Sequence, residues 1–391
     1  PLAKLWQVQD NEIPKLLRIE KNLIQVDEIL KPLLDEESFG GTYIDVKTNR
    51  VAINTLNFTK ADNITSIMRK HINFLSFENV NHSLTTLRHT FNRISELAQS
   101  IRPRSISSFI EIKLNKVVII LSHKDDNHNK EFLRAIEVYS DTLNLQYAGD
   151  QNPSNPPPMN LQRISGRDNV LPQILSGEGI YYLKTGIRCS AGFWAKSKDS
   201  NTNYIVTAGH CSKFGNSAYY HMPWNSPFSL RSSRSFGQTS IYQIQPYDVA
   251  LINITANIKP TAMIRNTDSE IYKELFICDD IAVSTHGAHL CKSGYGSHVT
   301  CGYIRAFNAF FLDDEDNFNP QLTITDMSTI NRDSGGPIFY YKQNLRHVSL
   351  YGIHIVGGVK STAMTLPIKI ILDEFKLDLL LKKTFGICPI L

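Results

Sequence analysis

The chain has 391 residues, of which 42% are hydrophobic and 20% charged, a balance typical of globular proteins and sufficient for two domains with apolar cores. The formal net charge is only +4, and acidic residues are interspersed with basic ones along the chain, which argues against nucleic-acid binding. No apolar run approaches the roughly 20 residues that a membrane-spanning helix needs, which argues against an integral membrane protein.

Residues 1–150 mix helix and strand patterns and are predicted to form an α+β domain. Two strand pairs are each followed by a helix with apolar residues at every third or fourth position, so a weak internal duplication is suggested. The predicted elements are strands 42–46 and 50–54, a helix over 84–101, strands 109–114 and 117–121, and a helix over 129–143.

Residues 151–173 form the clearest break in the pattern. The segment contains Pro153, the run Pro156–Pro158 and Pro172, set among polar residues. So much proline cannot continue a helix or a central strand. The sequence therefore predicts an exposed linker, the kind of segment that proteases cut most easily.

Residues 174–391 change to short β-rich segments separated by Gly, Ser and Asn turns, up to about Val359. A helical pattern returns only over Ile368–Lys383, where Leu, Ile and Phe recur at helical spacing. Many short strands closing with one helix predict an all-β barrel or sandwich.

All cysteines lie in this C-terminal region. An even number confined to one segment predicts a disulfide-stapled domain in an oxidising compartment, and hence a secreted protein that would have lost a signal peptide ahead of Pro1. The alternative is six reduced thiols in the core. Four glycosylation sequons, at Asn57, Asn63, Asn81 and Asn253, point to secretion too. The six cysteines are Cys189, Cys211, Cys278, Cys291, Cys301 and Cys388.

Three short segments carry the residue types of nucleophilic catalysis. They read TAGHC at 207–211, DVAL at 248–251 and DSGGP at 333–337. A serine hydroxyl needs a base within hydrogen-bond reach, and the base needs a partner that fixes its tautomer. His210 at a strand end, Asp248 before an apolar strand and Ser334 in a glycine-rich turn can supply these three groups. Each motif alone has an ordinary structural explanation, but the three in this order favour catalysis.

In this order the motifs resemble the chymotrypsin-like serine peptidases (peptidase family S1), and more closely the bacterial-type branch of streptogrisins and α-lytic peptidases. The resemblance is strong after residue 174 and weaker before residue 150. Besides the three motifs, the segments similar to this branch are Ile174–Tyr181, Arg188–Phe193, Cys291–Gly294, Thr300–Gly302 and, for a recurring pro-region hairpin, Phe39–Asn54.

The resemblance implies a fold and a disulfide pattern. The implied fold is an all-β double barrel of two antiparallel six-stranded barrels with a C-terminal helix, preceded by an α+β pro-domain, with the site between the barrels. Implied bridges join Cys189 to Cys211 and Cys291 to Cys301, which leaves Cys278 and Cys388 as a third pair.

The resemblance also implies a function: a secreted serine endopeptidase made as a zymogen. Ser334 would be the nucleophile, His210 the general base and Asp248 its orienting partner, with no metal or cofactor. Residues 1–150 would act in cis as a folding catalyst and inhibitor, released by a cut near Gln173–Ile174. We expect a monomer that acts on proteins or peptides and binds neither nucleic acid nor membrane. An unrelated binding domain at the N-terminus, functional by itself, is the alternative.

One departure from the family concerns the oxyanion hole. Arg332 stands where the family usually has glycine, and the N–H groups of Arg332 and Ser334 should form the hole. Because any residue except proline supplies a backbone N–H, the substitution does not abolish the hole. It constrains the backbone and puts a long cation on the leaving-group side. A catalytically impaired protease fold used for binding, a pseudoprotease, therefore stays open as an alternative.

The specificity pocket is the second departure. Ser328, at the expected pocket base, is not acidic, which argues against a preference for Lys or Arg before the scissile bond. The opposite wall should include His354, Ile355 and Gly357. In glutamate-specific members of the streptogrisin group a histidine aligns with His354, and an imidazole could pair with a substrate carboxylate. A histidine simply packed on its strand and a plain apolar pocket are the alternatives.

Overall fold

The computed structural model describes residues 1–122, 127–147, 173–225, 228–230, 233, 235–359 and 362–381. The predicted linker therefore lies outside the described residues except for Gln173, and the domain boundaries stay a prediction. None of the helices in these ranges combines the length and the apolar character needed to cross a membrane.

Residues 1–147 contain two units with the same order of elements. In each, a long helix precedes an antiparallel hairpin, and a shorter helix leads to a third strand that runs parallel to the second. This order agrees with the suggested internal duplication. The elements are α1 (Leu2–Trp6), α2 (Ile13–Leu30), β1 (Phe39–Asp45), β2 (Arg50–Thr55), α3 (Phe58–Ile67) and β3 (Leu75–Asn79), then α4 (Leu84–Ile101), β4 (Ile106–Glu111), β5 (Lys116–Leu121), α5 (Lys130–Ile136) and β6 (Leu143–Tyr147).

Several elements of this region differ from the sequence prediction; strand β4, for example, begins and ends three residues before the predicted strand 109–114. Helix α2 was not predicted, although Pro14 in its first turn suits a helix start and its buried side chains follow helical spacing. The helix predicted over 129–143 is wrong beyond Ile136, where the chain continues as a short 3₁₀ turn, Glu137–Tyr139, and then as β6. Val138 is 80% exposed, so an apolar residue at helical spacing does not always face a core.

Residues 174–381 are mostly β, as predicted, and α6 (Ile368–Glu374) is the one α-helix among the described residues of this region. Its strands fall into two sheets. The first sheet contains β7 (Gly179–Tyr182), β8 (Arg188–Ser190), β9 (Phe193–Ser197), β10 (Asn203–Thr207), β11 (Ala218–Met222), β12 (Ser235–Gln243), β13 (Val249–Ile254) and β22 (Leu377–Leu379). The second contains β14 (Met263–Arg265), β15 (Glu274–Asp280), β16 (His289–Gly294), β17 (His298–Leu312), β18 (Phe318–Thr325), β19 (Pro337–Tyr341), β20 (His347–Val359) and β21 (Thr362–Pro367).

The second sheet closes on itself. Strands β16, β17, β18, β21, β20 and β19 form a ring of six in which every pair is antiparallel. The first sheet departs from the predicted six strands, because its path β22-β9-β10-β13-β12-β11-β7-β8 has eight. One reason is that the chain changes partner at Gly192, which splits one bent segment into β8 and β9. The other is that β22 adds to β9.

The C-terminal helix is shorter than predicted. The apolar pattern suggested a helix over 368–383, but α6 ends at Glu374 and Lys376 adopts a left-handed φ of 49°. Leu377 then becomes a buried strand residue opposite Ser197. The same leucine spacing therefore serves a short strand, because the edge of β9 offers unpaired backbone groups.

The N-terminal region joins the second sheet through backbone pairing. Strand β4 lies antiparallel to the far end of β17, with Phe310 opposite Ser108, which extends the sheet through β5 and β6. Side chains of both regions share a hydrophobic core beneath this junction, where Phe310 and Leu312 lie with residues of α4 and α5.

A buried ionisable pair marks a second contact between the two regions. The Glu20 carboxylate of α2 and the His289 ring of β16 are both 0% exposed, and Oε2 lies 2.6 Å from Nδ1. Oε1 accepts from the His289 backbone N–H at 2.8 Å, and Tyr340 Oη donates to Oε2 at 3.0 Å. Separating the regions would remove these partners, so the two surfaces are built to match each other.

Candidate active site

His210 lies at the end of strand β10, on the short 3₁₀ turn Gly209–Ser212. The next residue, Cys211, is bridged to Cys189 of β8, with a Cα–Cα distance of 6.2 Å, which ties the turn to the neighbouring strand. Gly209 is required there, because a Cβ would lie 1.9 Å from the carbonyl oxygen of Gln243. Strand end, disulfide and glycine together fix the position of the imidazole.

Asp248 directly precedes β13, which pairs with β10 and so brings the carboxylate beside His210. Oδ2 lies 2.6 Å from Nδ1 of the ring, and Oδ1 accepts the His210 backbone N–H at 2.7 Å. The Asp248 side chain is 5% exposed, whereas that of His210 is 34% exposed. Because a carboxylate only accepts, the ring proton resides on Nδ1, which leaves Nε2 as the basic nitrogen.

Burial by itself would lower the pKa of His210. The negative charge of Asp248 and its hydrogen bond outweigh burial and raise the pKa above the ordinary value. The imidazole is therefore a stronger base than a free histidine side chain.

Ser334 lies in the turn before β19, against the strand end that carries His210. A Cβ on the following Gly335 would lie 2.0 Å from Thr207 Oγ1 and 3.0 Å from the Ala208 nitrogen, so the two segments are in close contact. The half-buried Ser334 hydroxyl donates to the Ile355 carbonyl at 3.4 Å. The contacts of these described residues thus bring Ser334 close to His210 without a hydrogen bond between their side chains.

Arg332 has a φ of 84°, a left-handed conformation that costs a non-glycine residue about 1 kcal/mol. Ser190 Oγ donates to the Arg332 carbonyl at 2.7 Å and holds that peptide in place. Among the described residues, neither the Arg332 N–H nor the Ser334 N–H donates to another group. Two unpaired N–H groups on alternate residues beside the serine can receive a developing oxyanion.

Among known proteins, only solved structures match this chain, and the matching structures include serine proteases. Protease A of Thermobifida fusca is 22% identical over 54% of this chain and 100% of its own, with a TM-score of 0.43. Nocardiopsis protease is 21% identical over 53% of this chain and 99% of its own, with a TM-score of 0.42. A third structure is described as a glutamic acid specific serine protease with a histidine triad in substrate binding. It is 22% identical over 53% of this chain and 100% of its own, with a TM-score of 0.42. No protein-family model and no curated protein matches the chain.

A buried ion pair supports the serine turn. Lys292 Nζ lies 2.8 Å from Asp333 Oδ2, and both side chains are 0% exposed. Asp333 also accepts the N–H groups of Gly296 (3.0 Å), Ser297 (2.8 Å) and Ile330 (2.9 Å). Burial would raise the pKa of Asp333, but the charge of Lys292 and the hydrogen bonds from Lys292, the Ile330 N–H and the Ser297 hydroxyl lower it on balance.

The partner of Asp333 was not predicted from the sequence. The available signal was the position of Lys292 between Cys291 and Ser293, in a strand whose residues are all buried. A lysine inside a fully buried strand requires a carboxylate partner. Which carboxylate it meets depends on how β16 and the serine turn come together, and one sequence does not supply that contact.

Only some of the predicted pocket residues are buried. His354 and Ile355 are buried, whereas Ser328 is exposed and its neighbour Thr329 takes the inner position. A Cβ on Gly357 would lie 2.1 Å from Thr329 Oγ1 and 3.0 Å from His354 Cε1, so these three residues are in close contact. Thr329 was not predicted, although it directly follows Ser328.

Several polar atoms of this pocket are buried without partners among the described residues. They include His354 Nδ1, Thr329 Oγ1 and the Oγ1 of Thr365, which lies opposite His354 on β21. Burial, with a smaller contribution from the charge of Lys292, lowers the pKa of His354 to about 3. The ring is therefore neutral at ordinary pH, and it would not meet a substrate carboxylate as a cation.

The cysteines form bridges that staple the site. The structure contains Cys189–Cys211 and also Cys291–Cys301, which crosslinks β16 and β17 at directly opposed positions with a Cα–Cα distance of 4.0 Å. Cys278 is disulfide-bonded as well, while its expected partner Cys388 lies outside the described residues. The sulfurs of Cys189 and Cys211 lie within 4.8 Å of a His210 nitrogen, but as disulfide sulfurs they are not the thiolates that bind metals.

Proposed function

We propose that this protein is a secreted serine endopeptidase that hydrolyses peptide bonds through Ser334, His210 and Asp248. The observation that carries the proposal is the imidazole held through Nδ1 by a buried carboxylate, close to a serine in a turn with two unpaired N–H groups. Serine, base, orienting carboxylate and oxyanion donors are the groups that acyl transfer requires.

The reaction would proceed by an acyl-enzyme. His210 Nε2 accepts the Ser334 proton as Oγ bonds to the carbonyl carbon, and the oxyanion is bound by the N–H groups of Arg332 and Ser334. The imidazolium, stabilised by Asp248, then protonates the leaving amine as the C–N bond breaks. Water repeats the same steps on the ester and releases the acid.

Residues 1–150 are proposed to act in cis as a pro-domain that assists folding and inhibits the enzyme until a cut near Gln173–Ile174. The pairing of β4 with β17 and the buried contact of Glu20 with His289 support this role, because both bind a matched surface of the protease region. All-β domains rich in non-local contacts fold slowly, which gives a folding template a physical purpose.

A pseudoprotease that only binds its ligands is the second candidate. It is favoured by the hydrogen bond from Ser334 to Ile355, which leaves the hydroxyl unbound to the base, and by the arginine at position 332. Binding of substrate can rotate a serine side chain, so chemical reactivity of Ser334 separates the two candidates.

For the residue before the scissile bond, we propose that the pocket takes glutamate or another polar acceptor rather than Lys or Arg. The support is the set of buried atoms without partners, His354 Nδ1, Thr329 Oγ1 and Thr365 Oγ1. Hydroxyl groups and a neutral imidazole can donate hydrogen bonds to a carboxylate or amide, and an apolar side chain would leave them unpaired. A preference for large apolar residues remains the alternative outcome.

The test is a cleavage profile on a mixed peptide library, using the chain after proteolytic cutting within residues 151–173 and removal of the N-terminal part. We expect cleavage after Glu, no cleavage after Lys or Arg, and none at all by Ser334→Ala. Thr329→Val, which exchanges a hydroxyl for a methyl group, should lower kcat/KM for Glu peptides by about tenfold or more. Cleavage after Lys or Arg, or equal activity of Ser334→Ala, would contradict the proposal.

A further inference from the structure

Two arginines lie on segments that meet beside the serine turn, Arg332 in the turn itself and Arg188 on β8. Ser190 of β8 connects this region, because its Oγ donates to the Arg332 carbonyl at 2.7 Å and accepts the Tyr295 N–H at 2.9 Å. Arg188 lies two residues before Ser190 on the same strand, and alternate residues of a strand share a face. Arg188, Arg332 and Tyr295 therefore border one patch of surface.

The charges of both arginines act on Tyr295, a residue of this patch. Burial raises the pKa of the Tyr295 phenol, and the charges of Arg188 and Arg332 oppose that rise. Arg188 is exposed and Arg332 half-buried. Within the described part of the chain, neither guanidinium forms an ion pair or a side-chain hydrogen bond. The nearest carboxylate in sequence, Asp333, is already neutralised by Lys292.

The position of the patch relative to the reacting atoms follows from the strands. In the proposed site, the acyl side of a substrate lies toward the pocket, beside Ile355, whose carbonyl contacts Ser334, and Gly357, which contacts Thr329 and His354. The leaving amine must lie where His210 can protonate it. His210 is tied through the Cys211–Cys189 bridge to β8, the strand that carries Arg188. In the proposed reaction, the part of the substrate that follows the scissile bond would extend from His210 toward β8 and its Arg188.

We propose that Arg188 and Arg332 form a cationic subsite that selects peptides with acidic residues in the first positions after the scissile bond. This inference rests on the proposed peptidase function and adds a substrate class to it. Unpartnered guanidinium groups bind carboxylates directly, often through two N–H groups, and they attract acidic segments from a distance.

The test compares two peptides that are identical up to the scissile bond and carry either Glu or Gln in the two positions after it. For the processed enzyme we expect a Glu-over-Gln ratio of kcat/KM of about 3 to 10 at low salt, typical of exposed ion pairs. The ratio should fall toward one in Arg188→Glu, and also at about 0.5 M salt, where exposed charges are screened. The ratio is insensitive to any general loss of catalytic rate.

Lys369→Glu is the matched control, because it makes the same charge change at an exposed position of α6 and should leave the ratio at the wild-type value. Binding of both peptides to Ser334→Ala, measured by fluorescence anisotropy, gives a second reading that needs no turnover and should favour the Glu peptide. Hydrolysis with a ratio near one, or an unchanged ratio in Arg188→Glu, overturns the subsite alone. If neither peptide is hydrolysed, the peptidase proposal fails, and equal binding of the two peptides by Ser334→Ala then overturns the subsite too.

Discussion

Asp248→Asn is expected to lower kcat by about 10⁴ while the protein stays folded. The carboxylate accepts both the ring N–H and the backbone N–H of His210. An amide in its place would offer an NH₂ group to one of these donors, so the ring would turn or change tautomer, and Nε2 would no longer be the basic nitrogen. The loss should appear in kcat rather than in KM, because Asp248 does not contact the peptide.

The pH dependence of the residual activity distinguishes this role from a structural one. Asp248 raises the pKa of His210, and activity requires the neutral imidazole. As the pH falls, the asparagine variant should therefore keep its residual activity to a lower pH than the wild type does. Hydrolysis rates across pH for wild type, Asp248→Asn and Ser334→Ala would measure this shift. Near-wild-type kcat for Asp248→Asn, in a protein with an unchanged melting temperature, would contradict the proposed role of the carboxylate.

Lys292→Met is expected to lower the free energy of unfolding by about 3–5 kcal/mol, because it leaves Asp333 buried without its counter-ion. Both side chains are 0% exposed, and Asp333 accepts the backbone N–H groups of Ile330, just before the serine turn, and of Ser297, in the turn between β16 and β17. The same change should disturb the peptides of Arg332 and Ser334 and so reduce activity. Urea denaturation of the wild type and the variant measures the loss of stability.

Two comparisons make this prediction specific. Lys198 forms an exposed pair with Asp378 at 3.8 Å, and Lys198→Met should cost no more than about 1 kcal/mol. Adding Asp333→Asn to Lys292→Met removes the unpaired charge and should recover part of the lost stability. A midpoint for Lys292→Met equal to that of Lys198→Met would show that the buried pair does not hold the serine turn.

The sequence predicts best the elements whose pattern is local. The helix over 84–101 and the hairpin around Lys47–Asn49 match the structure closely, because helical spacing, strand alternation and turn residues are all visible within one short window. The helix predicted to Lys383 ends early for the opposite reason. Its leucines fit a helix equally well, and the free edge of β9 decides the outcome.

The site shows the same division. Ser334, His210 and Asp248 could be named from three short motifs, and the hydrogen bond of His210 with Asp248 follows from the pairing of β10 with β13. The contact of Lys292 with Asp333 and the unpaired hydroxyl of Thr329 could not be named, since they depend on how distant segments of the closed sheet meet. Short motifs predict candidate reacting groups, whereas long-range pairing determines which residues surround them.

Reaction of Ser334 with a fluorophosphonate probe tests the central claim most directly, because the probe bonds only to a serine whose proton is removed by a nearby base. In the processed wild type we expect one labelled residue, Ser334, and no labelling of Ser334→Ala. The labelling rate should fall as the pH drops through a midpoint above the ordinary pKa of a histidine side chain, since protonation of His210, whose pKa is raised, removes the base. A folded, processed wild type whose Ser334 stays unlabelled at every pH would contradict the account.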